Sequence, residues 1–398
     1  MATDPDGCVD PASVVAAAAG AAAARARARA GAGAGPAGGA RRVLIVSRHD
    51  YRTGRRASIH FLAQAMAAQG HDVSFVSVGF SWLSHLRKDR RCAFADRANR
   101  WEERDGVRAL LWKTPWHAVD LPLISGHTGW LYDLWSHLPG RDLDAAAAAA
   151  DTIIVESGIA PVLIRRLRTQ APHARIVYRA ADLLDTAGVH PRVQRILDRD
   201  AAQVDLVVVV ARGMLPHFQH FPARKLLVRH GVDRQQIEAP TPNPYDTANN
   251  VVSVGSMLFD AEAVRQAADA LPQWTFHLIG TPAGQFGPNV RQYGEMPFAQ
   301  TLPYLQHADV GLAPYRLGPA AEYLADSSLK LLQYGALGLP AVCPRFALDG
   351  SPLRFGYDPD QPESLAPAVL LAAAAARRPQ PIGDWSEVAR HLMEEIHG

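Results

Sequence analysis

Ala239-Pro-Thr-Pro-Asn-Pro-Tyr-Asp-Thr-Ala-Asn-Asn250 divides this chain. Three prolines and three asparagines in so short a stretch remove amide donors and favour turns, so neither a helix nor a strand is expected to run through it. On its amino-terminal side, apolar runs at residues 43–47, 73–78, 153–156, 175–178 and 206–210 alternate with helical patterns at 57–69, 161–169 and 191–203. A second series follows at 251–254, 274–279, 309–313 and 341–343. Continuous Val- and Ile-rich strands separated by helices indicate parallel sheets covered on both faces. The expectation is an α/β chain of two facing, Rossmann-like, doubly wound domains, 41–235 and 251–380, joined by a linker at 236–250 and closed by a helix within 381–398. Such a pair holds its ligand in the cleft between the carboxyl ends of the two sets of strands.

Residues 1–40 are Ala- and Gly-rich with an Arg-Ala repeat, and are expected to be disordered. Asp4, Asp6 and Asp10 precede the apolar run and the arginines follow it, the reverse of a signal peptide. The length of 398 residues suits two domains, and 48% hydrophobic with 20% charged residues is ordinary for a soluble protein. Cys8, Cys92 and Cys343 are too scattered for a zinc site or disulfide framework, which points to a reducing cytoplasm. No apolar stretch is long enough to predict a membrane-spanning helix. The net charge of +2 hides an asymmetry: residues 41–230 carry 28 basic and 18 acidic side chains, whereas residues 231–398 carry 10 and 18. The first half therefore favours an anionic partner.

Tyr323-Leu-Ala-Asp-Ser-Ser-Leu-Lys-Leu-Leu-Gln-Tyr-Gly-Ala-Leu-Gly-Leu-Pro340 carries the clearest chemistry. Asp326, Ser327 and Ser328 are good amino-terminal caps for a helix that Gly338 and Pro340 stop. Open amides at its start, beside Lys330 and two hydroxyls, form a seat for a diphosphate. Val254-Gly-Ser-Met-Leu258 and Tyr293-Gly-Glu-Met296 follow neighbouring strands, where glycine lets a ligand approach the backbone and Glu295 can accept from a ribose or base. Neither is a Walker loop nor a Gly-x-Gly-x-x-Gly fingerprint. In the first domain Asp182 lies just past a strand end, where a general base for an acceptor hydroxyl belongs. Glu156 is a rival base at a similar strand end, and His230 either reaches the donor or shapes the hinge.

Ser47-Arg-His-Asp-Tyr-Arg-Thr-Gly-Arg-Arg-Ala-Ser-Ile-His-Phe61, Glu156-Ser-Gly-Ile-Ala160, Val177-Tyr-Arg-Ala-Ala-Asp182, Val254 to Asp260, Tyr293 to Met296 and Tyr323 to Tyr334 together resemble, in order, the xanthan-pathway glucuronosyltransferases. The resemblance spans residues 41–357. It implies a GT-B fold, an inverting reaction without a metal cofactor, and a monotopic protein on the cytoplasmic face of the bacterial inner membrane. Its implied substrates are UDP-glucuronate and the mannose of a polyprenyl-diphosphate-linked oligosaccharide in exopolysaccharide synthesis. By resemblance Asp182 is the base, and Met257, Glu295, Met296, Tyr315, Ser328, Leu329, Lys330 and Gln333 fall in the UDP site. Ala181 replaces a serine and Leu329 a methionine of the family pattern.

The alternatives are a GT-B transferase with another donor sugar or retaining stereochemistry, and a non-catalytic nucleic-acid-binding protein. No nucleic-acid module is present, so nucleic acid is not an expected partner. Six of the eight tryptophans (82, 101, 112, 116, 130 and 135) accompany the basic cluster Arg87, Lys88, Arg90 and Arg91, a mix that suits an anionic membrane surface.

Overall fold

The computed structural model describes residues 39–54, 56–87, 89–118, 129–186, 188–318 and 323–398. The expected tail over residues 1–38 and Lys88 lie outside them.

The first sheet contains β1 (Arg42–Ser47), β2 (Asp72–Phe80), β3 (Glu102–Arg104), β4 (Val107–Lys113), β5 (Thr152–Glu156), β6 (Arg175–Ala180), β7 (Leu206–Val209) and β8 (Arg224–Leu227). Their order is β3-β4-β2-β1-β5-β6-β7-β8, parallel except for β3. Alternate residues of the central strands feed two cores. Leu44, Val46, Ile153, Val155, Ile176 and Tyr178 face one. Val43, Ile45, Ile154 and Val177 face the other, against the helix Ser58–Ala68 and the terminal helix Trp385–His397. Such strands read as unbroken apolar runs because both faces are covered.

The second sheet contains β9 (Asn250–Val254), β10 (Thr275–Ile279), β11 (Val290–Tyr293), β12 (Val310–Leu312), β13 (Ala341–Pro344) and β14 (Arg354–Tyr357). It is parallel throughout, in the order β11-β10-β9-β12-β13-β14. The strand order reverses between β1 and β5 in one sheet and between β9 and β12 in the other, and crevices form beyond the carboxyl ends of such pairs. The segment between the sheets is pinned rather than loose. Gln306 donates to Ile237 O and Ala239 O at 2.8 and 2.7 Å, and the Tyr245 ring packs at a tilt against His277 with centroids 4.5 Å apart. Residues 41–398 form one compact unit.

The helix Leu329–Ala336 is anchored through Tyr334, whose phenol donates to Val252 O and Leu312 O. Gly311 makes room for that ring: a Cβ there would meet it at 2.6 Å.

Candidate active site

At the reversal point of the first sheet, β1 ends in Ser47 and β5 in Glu156, and the Ser47 hydroxyl donates to Glu156 Oε2. Arg179 stands beside Glu156 in strand register and donates to Oε1 from Nη1 at 3.1 Å. Its Nη2 donates to Ser58 Oγ at 3.0 Å and to His230 Nδ1 at 3.4 Å. All five side chains are buried. Glu156 therefore does not stand as a rival base, because both of its oxygens are engaged. The His230 ring lies between Arg179 and Trp385, and burial holds its proton affinity well below that of free histidine.

Asp182 lies two residues beyond the end of β6 and half-buried, with its amide donating to Ser157 Oγ at 3.2 Å. Burial raises its carboxyl pKa to about 6, helped by the Glu156 charge and opposed by Arg179 and Arg48. A carboxylate with near-neutral proton affinity at a crevice is equipped to take a hydroxyl proton.

On the second sheet, Ser328 caps the helix Leu329–Ala336, its hydroxyl accepting from Leu331 N at 3.2 Å and bonding the Tyr315 phenol at 2.6 Å. That hydroxyl is buried, with the cap and the Tyr315 phenol as its partners. Ser327 and Asp326 do not cap this helix. Ser327 donates to Tyr323 O, and Asp326 accepts from Arg212 N at 3.1 Å and pairs with Arg229. The Leu329 and Lys330 amides remain, which a helix cannot pair internally. Lys330 Nζ reaches Ser253 Oγ at 3.4 Å over the Tyr315 ring, and has no ion-pair partner among the described residues. Loss of solvent alone pulls its pKa down to about 7.

Tyr315 is thus a buried support for Ser328 and Lys330, with no phenol open to a ligand. Leu329 packs toward the first-sheet core. Gln333 is half-buried one turn beyond Lys330. Met257 is exposed after Gly255, whose φ of +88° turns the chain at the end of β9. Met296 packs against the second-sheet core, and Glu295, just past β11, forms an ion pair with Arg90 from the first-sheet side. Tyr323 spans to the Asp182 wall, where its hydroxyl bonds Thr186 Oγ1. No group of three or more His, Cys, Asp or Glu side chains suited to a metal occurs among the described residues.

The family model described as "Glucuronosyltransferase GumK, N-terminal domain" matches residues 45–210. A UDP-glucuronate:glycolipid 2-beta-glucuronosyltransferase of Xanthomonas campestris pv. campestris is 38% identical over 373 residues, covering 90% of this chain and 91% of that protein. The chain belongs to the GumK glucuronosyltransferase family. Among solved structures, a UDP-forming alpha,alpha-trehalose-phosphate synthase of Burkholderia xenovorans superposes with TM-score 0.59 at 13% identity, covering 90% of this chain and 100% of that one. OtsA superposes at 0.57 and 12%, covering 90% and 99%. At such identities the likeness speaks for the fold, which is GT-B.

The residues that reading the sequence left unassigned in this GumK-family site are Arg179, Ser157 and Tyr323. One signal for the first was available: Glu156 and Arg179 are lone, opposite charges near the ends of two adjacent apolar strands. Tyr323 had no such signal, because only the folded chain brings it to Thr186.

Proposed function

We propose that this enzyme moves glucuronic acid from UDP-glucuronate, with inversion, to the mannose of a polyprenyl-diphosphate-linked oligosaccharide. What supports the reading is two unlike sheet ends joined by one side chain. Asp182, a carboxylate with raised proton affinity, follows β6 of the first sheet, Lys330 lies in the first turn of the helix Leu329–Ala336 beside the second, and Tyr323, just before that helix, bonds Thr186 in the loop that carries Asp182. Asp182 takes the proton of the acceptor hydroxyl, whose oxygen attacks the anomeric carbon as the bond to the UDP oxygen breaks. Lys330 and the Leu329 and Lys330 amides stabilise the departing diphosphate, so no metal cofactor is required. The glycolipid substrate in the Xanthomonas relative's name supports a lipid-linked acceptor, and no helix among the described residues is long and apolar enough to cross a membrane. The enzyme then works as a peripheral protein on the cytoplasmic face of the inner membrane.

The test is a panel of radiolabelled UDP-sugars against lipid-linked acceptors, with product anomers assigned by NMR. Transfer from UDP-glucuronate to give a β-linked product is expected. Preference for another UDP-sugar, or an α-linked product, would refute the assignment.

A further inference from the structure

The mechanism above makes no use of the Glu156–Arg179 pair, although it occupies the reversal point of the first sheet. Isolated charges are expensive to bury, and replacing a buried pair by apolar groups is often neutral or stabilising, so fold stability is a weak account of its presence. Its connections are more informative. Glu156 is followed by Ser157, whose amide donates to Arg179 O at 3.0 Å and whose hydroxyl accepts the Asp182 amide. Ala181 N also donates to Arg179 O, turning the chain directly before Asp182. Ser47, Ser58 and His230 hold the pair from the end of β1, the start of the helix Ser58–Ala68 and the segment after β8. The loop bearing Asp182 therefore hangs from the main-chain oxygen of Arg179 and from Ser157, next to Glu156, at two strand ends that the ion pair ties together, and that pair is held by three other elements.

We infer that Glu156 and Arg179 are positioning residues for glycosyl transfer: the pair fixes the loop that presents Asp182 and sets the electrostatic field at its carboxylate. This rests on Asp182 being the base. The charged and titratable groups around that carboxylate are Glu156 from β5, Arg179 and Tyr178 from β6, Arg48 from the loop after β1, and Tyr323 from the second-sheet side. Glu156 raises its proton affinity more than Arg179 lowers it, so the acidic end of the pair dominates the field. His230 beside Arg179 stays neutral and adds no charge.

The experiment is the pH profile of kcat/KM for four variants, with UDP affinity as the measure of folding. In the wild type the acid limb lies near the Asp182 pKa of about 6. Glu156→Gln keeps an acceptor for Arg179 but removes the negative charge, so its limb should fall by about 1 pH unit. At pH 5 that variant should retain about five times more of its own plateau activity than the wild type does. Arg179→Met should move the limb upward, and Arg179→Lys should bring it back toward the wild-type position with a lower kcat. Limbs unmoved in variants that bind UDP normally would overturn the inference and leave the pair a packing element. If Glu156→Gln fails to bind UDP, the two Arg179 variants decide, through an upward limb in Arg179→Met and its return toward the wild-type position in Arg179→Lys. A fully active Asp182→Asn enzyme would instead remove the base assignment, a separate failure.

Discussion

Asp182 shows how a single side chain can work against the fold that holds it. An aspartate whose proton affinity rises on folding is less stable ionised in the folded chain than in the unfolded one. With its pKa moved from 3.8 to about 6, the penalty is absent below the lower value, grows as pH rises through the window, and is complete above about pH 6. At most it amounts to about 3 kcal/mol at neutral pH. Asp182→Asn removes the ionisation while keeping the shape. Transfer should fall about 10²–10⁴-fold, as expected for loss of a positioned base. Thermal unfolding at pH 8 should move to higher temperature, and the gain should vanish near pH 4. A variant of unchanged Tm at pH 8 would place the carboxyl in a more solvated setting than the crevice provides.

The helix Leu329–Ala336, the proposed donor side, divides into parts legible in the sequence and parts that were not. Its start, its end and Lys330 follow from caps, stop signals and charge, and the central strands of both sheets follow from their apolar runs. The short outer strands β8, β11 and β14 escaped because half-solvated strands carry charge and lack an apolar run, as in Arg224-Lys-Leu-Leu227 and Val290-Arg-Gln-Tyr293. Capping propensity did not reveal that the Ser328 hydroxyl also bonds the Tyr315 phenol, because a buried tertiary partner leaves no local trace. The contacts proposed for a diphosphate are Lys330 and the Leu329 and Lys330 amides. Lys330→Ala should weaken UDP about 10–100-fold, as for a lost charged hydrogen bond, and barely alter UMP. Because desolvation lowers its pKa to about 7, a bound diphosphate should raise it again. Above pH 7 UDP binding should therefore take up a proton, and affinity should fall as pH rises from 7 to 9. Calorimetry in buffers of different ionisation heat measures that uptake, which Lys330→Ala should abolish. Equal losses for UDP and UMP would move the lysine away from the distal phosphate.

On the scale of the whole molecule, burial removes most of the side chains expected at a membrane surface and leaves others. Trp112 and Trp135 are buried in the first-sheet core, and Trp101 and Trp116 pack against it. Arg91 is a staple, donating to Arg48 O, Val78 O and Gly79 O and pairing with Asp89, so replacing it would test folding rather than lipid binding. Arg90 is committed to Glu295. What stands in solvent is Trp82 (56% exposed) and Leu86 (73%) around the helix Leu83–Leu86, with Trp130 (60%) and Leu134 (49%) on the helix Trp130–Ser136. The first follows β2 directly, and the second is tied by Trp135 Nε1 to Thr114 Oγ1, just past the adjacent β4, so both sit at the carboxyl end of the first sheet. The proposed base Asp182 lies at the same end of that sheet. With the lipid-linked acceptor proposed for this enzyme, this is the side expected to approach a bilayer. Half-immersing four such side chains is worth roughly 1 kcal/mol each, or about 10³-fold in partitioning together. The excess positive charge of residues 41–230 adds a salt-sensitive attraction to anionic lipid. The enzyme should co-sediment with vesicles containing phosphatidylglycerol, and high salt should weaken binding without abolishing it. Replacing Trp82, Leu86, Trp130 and Leu134 together with serine should lower vesicle binding at least 100-fold and leave UDP affinity intact, since Lys330 lies on the other sheet. Undiminished binding by that variant would mean that charge alone holds the enzyme to lipid, and that these four side chains are ordinary surface.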